Sequence, residues 1–391
     1  MKRFFCAAAV IFIAFTTSSA VFAEEITVDE QVIYEADGRK VTVTGYEDGW
    51  LGAELNVLVE NDTESAFTLQ IRDSSVNGIM TDFQASIDVE PGKKANDSIT
   101  IMTSDLEDNG IEQIADIEMS LHIFDSETWD TIADTDAILI ETSLSGEYEQ
   151  EYDDSGEVVY DENSIRIVYQ GLEEDDLWGW QPMFYIENNA ETNITVQLND
   201  TSVNGIMIDP SFSAEVVSGK KYYGGAVLFS STLEENGISE ILEIETTFHI
   251  YDSDTYSTFA DSAPVTLSSG SSGEYVQEID DSGEVLYEEG GIKIVSRGLV
   301  EDSIWGIQPA FYIENNSEQP ITVQLRDTSI NGYMADVSFS AEVMPGKICN
   351  DEALLLDDVE GDITEMETSF HIFNTETWDT IVDTEPIVIS Y

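Results

Sequence analysis

One hexapeptide constrains this chain more than its composition does. Ser75-Val-Asn-Gly-Ile-Met80 returns as Ser202-Val-Asn-Gly-Ile-Met207 and as Ser329-Ile-Asn-Gly-Tyr-Met334, each time after 127 residues. Val59-Glu-Asn-Asp62, Ile186-Glu-Asn-Asn189 and Ile313-Glu-Asn-Asn316 keep the same step. So do Gly92-Lys93, Gly219-Lys220 and Gly346-Lys347. His122, His249 and His371 are equivalent, but the second step is 122, so the third copy has lost five residues between Lys347 and His371. A period this long describes a whole domain and not a solenoid unit. The chain therefore reads as three tandem modules: 24–143, 144–270 and 271–391.

Within a copy the pattern is mainly strand. Leu55-Asn-Val-Leu-Val59, Phe67-Thr-Leu-Gln-Ile71 and Phe83-Gln-Ala-Ser-Ile-Asp-Val89 alternate with period two. Asn77-Gly78 is a tight-turn dipeptide, because both residues tolerate positive φ. Ser104 and Glu107 make a capping-box pattern for one short helix, closed by Asn109-Gly110. Ser231, Glu234 and Asn236-Gly237 repeat it, and Asp357, Glu360 and Gly361 replace it in the third copy. Two further strands follow, at 117–124 and 137–140. About seven or eight short strands per copy predict an all-β fold of three immunoglobulin-like antiparallel β-sandwiches. The segments around Asp153-Asp-Ser-Gly156 and Asp280-Asp-Ser-Gly283 read as strand, turn, strand, which predicts short hairpins at the joints.

Residues 1–23 read as a secretory signal peptide. Lys2 and Arg3 precede an apolar run, and Val21-Phe22-Ala23 offers a cleavage site. That run is too short for a bilayer-spanning helix. The expected mature protein is extracellular, with no membrane insertion after cleavage. The formal charge of the chain is −66, from 80 acidic and 14 basic residues. Such a field repels phosphate backbones and argues against nucleic acid as a partner. Cations, cationic proteins and neutral glycans stay open. Leader cleavage removes Cys6 and leaves Cys349, so packing and not a disulfide must hold each module. Cys349 itself reads as a small apolar filler.

These repeated elements, with Phe-His-Ile-Tyr-Asp and the Asp-Asp-Ser-Gly-Glu-Val-Val-Tyr joint, resemble tandem immunoglobulin-like repeat modules of exported proteins from gut Firmicutes. The resemblance covers nearly all of residues 32–391. It implies a fold and a compartment, with no defined activity.

Several constellations invite a functional reading. The three histidines fall one to a module, and no cysteine accompanies them except Cys349, so a zinc site lacks ligands. Nothing resembles a nucleophile elbow, and no catalytic, cofactor-binding or metal-binding residue is expected. Calcium is the one cofactor the loops leave open. Asp125-Ser-Glu-Thr-Trp-Asp130 and its equivalents carry hard oxygen donors, without the spacing of a defined calcium loop. The loop aromatics Trp129, Tyr256 and Trp378 occupy one equivalent position. Trp178 and Trp305 precede the second strand of their modules, with Trp180 beside the first and Trp50 at a similar place. Aromatics on loops stack on sugars or anchor protein partners, whereas tryptophans can also plug the end of a sandwich. Gly92-Lys93-Lys94 and its equivalents read as turns that relieve acidic repulsion. The expected function is non-enzymatic: extracellular binding, adhesion or spacing, with an extracellular protein or glycan as partner. Carbohydrate binding through the loop aromatics is the alternative, and a hydrolase is a third reading.

Overall fold

The computed structural model describes residues 26–391 except 176, 271–274, 357, 358 and 360. The expected signal peptide lies outside the described residues, as do Asp357 and Glu360. The architecture is antiparallel β-sandwich, built around three hydrophobic cores.

In the first copy one sheet runs in the order Gln31–Ala36, Arg39–Asp48, Gly52–Asn61, Lys94–Met102 and Phe83–Gln84. The facing sheet centres on Phe67–Val76. Asp116–Asp125 pairs along one edge of it, and Ile79–Met80 and Ser86–Val89 share the other. Period-two alternation explains the core. Leu55, Val57 and Val59 point inward from one sheet, and Leu69, Leu121 and Ile123 from the other. Each such side chain contributes roughly 1.5–3 kcal/mol when fully buried. The second and third cores replace aliphatics with edge-on aromatic pairs, Phe184 with Phe248 and Phe311 with Phe370.

The repeated Glu-Asn element has a clear task. Asn61, Asn188 and Asn315 are fully buried. Each amide nitrogen donates to two carbonyls, for Asn188 those of Thr192 and Val216. Each amide oxygen accepts the backbone N–H two residues on, from Thr63, Ala190 and Ser317. One side chain thus closes the corner where the chain changes sheets, with its buried polar atoms satisfied.

Two expectations need correction. The short helices Thr103–Asp108 and Ser230–Glu235 form, but they begin two residues earlier than the capping-box reading, with Ser104 and Ser231 as N-caps, places them. Met102 and Phe229 are the N-caps, without a side-chain cap bond, and the Ser104 hydroxyl donates to Asp105 instead. The joints are not hairpins either. Residues 148–155 and 275–282 carry no strand, and among the described residues Glu157–Glu162 pairs only with the following Ile165–Asp175. A Cβ on Gly156 or Gly283 would collide with the carbonyl of Tyr169 or Ser296, so these glycines serve close approach and not a hairpin turn.

Candidate functional site

The structure draws attention to the joints between copies. Asn77 and Gly78 both have positive φ, as do Asn204 and Gly205, so each dipeptide forms the expected tight turn. The turn then does something the sequence reading did not foresee. Ile79 pairs in parallel with Lys221 of the next copy, and Ile206 with Ile348. The Lys221 amide donates to the Gly78 carbonyl at 2.9 Å, and the Ile348 amide to Gly205 at 3.0 Å. These bridges fuse the second sheet of one copy to the first sheet of the next.

Side chains reinforce the bridge identically at both joints. Lys220 reaches Glu118 of the preceding copy at 2.6 Å, and Lys347 reaches Glu245 at 3.0 Å. The second and third Gly-Lys turns thus place a specific ion pair. Met80 packs against the second core, and Met207 against the third. The linker supplies a clamp. Asn77 donates to Gln150 Oε1, and Gln150 donates to the Gly110 carbonyl. Asn204, Gln277 and Gly237 repeat the arrangement. The Asn77 Oδ1 also accepts the amides of Ala115 and Asp116, as Asn204 Oδ1 does those of Leu242 and Glu243.

The first joint encloses a groove of about 1130 Å³. Asp73, Asp82, Asp105, Asp108, Glu215 and Asp254 line it against Arg72, with Phe83, Tyr222, Tyr223, Tyr251 and Tyr256 as its aromatic surface. Burial, then the nearby Asp73, pushes the Glu215 carboxyl above its usual value. Burial raises Asp105 as well. The corresponding groove of the second joint is smaller, about 460 Å³.

The sequence-predicted aromatics divide into two sets. Trp129, Tyr256 and Trp378 are 74 %, 79 % and 74 % exposed. They do not plug the sandwich. Each has positive φ in a tight loop and lies nearly parallel to a ring on the adjoining strand: Phe124, Tyr251 and Phe373. Trp178 and Trp305 sit at hairpin tips, exposed beside the still more exposed Leu177 and Ile304. Asp175 and Asp302 hold those tips by accepting two backbone amides each. The two sets lie at opposite ends of a module. The Tyr256 loop adjoins the Asn188 end of strand Gly179–Asn188, and Trp178 precedes its Gly179 end, roughly 30 Å away at 3.3 Å per residue. Trp50 is also exposed, whereas Trp180 packs against the second core.

The histidines repeat one arrangement. His122, His249 and His371 each place Nδ1 2.5–2.6 Å from an aspartate: Asp134, Asp261 and Asp383. Each ring also stacks toward the strand aromatic, extending the ladder His122–Phe124–Trp129. Each aspartate lies directly opposite its histidine on the neighbouring antiparallel strand, so the pair ties two strands together. The acidic loops spend their first oxygen on structure. Asp125 Oδ1 accepts the amides of Glu127 and Thr128, which hold its carboxyl below the usual range. The uncharged Asn374 does the same work in the third copy. Cys349 lies in the third core, and burial pushes its thiol up.

Sequence reasoning missed Met80, Met207, Glu118, Glu245 and the aromatic pair Tyr222 and Tyr223. Their signal was present for the first four, since each keeps the repeat step, but a step cannot say which neighbour a side chain meets.

No family model and no curated protein matches this chain. Among solved structures, one of the YadV chaperone aligns at 9 % identity over 58 % of this chain and 100 % of that one, with a TM-score of 0.20. A score that low carries no argument about fold or function.

Proposed function

We propose that this chain is an exported, non-enzymatic array that holds three equivalent surfaces at fixed spacing, as an extracellular spacer or adhesion protein. The observation that carries this reading is the repeated joint. Both joints combine a main-chain bridge, a Lys–Glu pair, a methionine in the neighbouring core and a glutamine clamp. A floppy linker needs none of these. Solution scattering is the test. A rigid array gives one distance distribution that a single conformation fits. A distribution that requires a broad ensemble of inter-module angles would sink the reading.

Carbohydrate recognition is the second reading, supported by the exposed aromatics Trp129, Tyr256 and Trp378. Exposed rings on rigid loops offer flat faces to sugars, and three copies give avidity. Binding on a glycan array that disappears in the triple alanine variant supports it. Absence of binding to every glycan removes it.

A further inference from the structure

The joint has two halves, and each also occurs without its partner. The third copy carries the turn half. Asn331 and Gly332 have the same positive φ as their equivalents, and Asn331 holds the Thr364 and Glu365 amides in the same way. Yet Tyr333 and Met334 are 80 % and 73 % exposed, whereas Ile79 and Ile206, equivalent to Tyr333, are 0 % and 2 % exposed. Glu367, the equivalent of Glu118 and Glu245, is exposed as well.

The first copy carries the edge half. Lys93 and Lys94 are exposed at the start of strand Lys94–Met102. Lys94 is the equivalent of Lys221 and Ile348. Among the described residues its strand is paired on one side by Gly52–Asn61, and on the other only near Thr100 and Ile101. The amide edge at Lys94 is therefore open. Its side chain forms an ion pair with Glu60, which leaves Lys93 to meet a carboxylate from outside.

We infer that the chain associates head to tail, with the Asn331–Gly332 turn of one copy docking on the Lys93–Lys94 edge of a second copy. The internal joints specify the register. The Lys94 amide donates to the Gly332 carbonyl, Lys93 pairs with Glu367, and Met334 enters the first core's rim. Lysines at one end and a glutamate at the other make the two halves complementary in a chain that otherwise repels its own kind. The contact is heterologous, so it propagates into open strings or closes into rings. At the internal joints a linker glutamine adds to the contact.

The proposal rests on the reading of the joints as locks, and its test leaves both internal joints intact. Sedimentation velocity on the mature chain, as a concentration series, is the experiment. The expected result is a mass that rises with concentration through more than two copies. Met334→Asp and Lys93→Glu should each weaken association about tenfold or more, with melting unchanged, because both side chains are exposed. The double charge swap, Lys93→Glu with Glu367→Lys, should restore it. A single monomeric species up to the solubility limit overturns the proposal. So does association that neither variant weakens. Either failure leaves the internal joints to be judged by scattering.

Discussion

The two joints share a lock and differ in what surrounds it. At the first, the Tyr152 hydroxyl donates to the Asn77 carbonyl, and Lys221 sits over the Tyr152 ring at 4.2 Å. Tyr223 packs against the first core. At the second, Ile279 replaces Tyr152, Ile348 replaces Lys221 and Asn350 replaces Tyr223. Asn350 instead donates to Asn236 of the preceding copy. The turn, the Lys–Glu pair, the methionine and the clamp glutamine are common to both. The lesson is a division of labour. The shared groups fix how one module sits on the next, and the variable ones set the size and lining of the groove beside the joint.

That division can be broken in steps of decreasing size. The largest effect should come from Asn77→Ala or Asn204→Ala. Each strands buried backbone groups and puts a non-glycine, non-asparagine residue at positive φ, at a cost of about 3 kcal/mol. Calorimetry should show nearly equal losses at the two joints. A loss at one only would mean the lock is not shared. Lys220→Ala and Lys347→Ala should cost about 1 kcal/mol each, the first more than the second because the Lys220 pair is shorter and its glutamate less exposed. Both losses should shrink at high salt.

Tyr152→Phe should cost the first joint about 1 kcal/mol, and Ile279→Tyr should transfer part of that gain to the second. Equal melting of all three proteins would mean the tyrosine contact is incidental. The smallest effect is expected at Ser75 and Ser202, whose hydroxyls are buried without a partner among the described residues. Alanine there should be neutral or mildly stabilising, and a clear loss in melting temperature would show an unrecognised bond.

Acidity offers another way to separate the joints. Burial raises the carboxyls of Asp200, Glu342, Asp351 and Glu352 around the second joint. Around the first it raises Glu215 and Asp105. A carboxyl with a raised folded value favours the protonated state in the fold. Its penalty is full above that folded value and disappears as pH falls toward the ordinary value of about 4. Mild acidification from neutrality should therefore stabilise the protein, and the second joint more than the first. Asp200→Asn with Asp351→Asn should blunt the rise, and a rise that persists unchanged places its source elsewhere.

Much of the fold was legible because repetition separated signal from accident. The Asn-Gly turn follows from residue chemistry alone, and so do the strand alternation and the short helix. The expected joint hairpin failed for a physical reason. Glu147-Tyr-Glu-Gln-Glu-Tyr152 alternates like a strand, but Gln150 and Tyr152 spend their polar groups on the neighbouring module. Nothing in a local pattern reveals a partner that distant in sequence. The exposed loop tryptophans were legible as positions and misread as plugs in the bland alternative. Which way a ring points depends on the tight loop that carries it, and Trp129 and Trp378 lie outside the core, stacked on Phe124 and Phe373.

Amide hydrogen exchange at three equivalent positions tests the lock most directly. Lys221 and Ile348 donate across a joint, and Lys94 stands at the same place on an open edge. The lock predicts slow exchange at Lys221 and Ile348 and fast exchange at Lys94 in the monomer. Equally fast exchange at all three would contradict it.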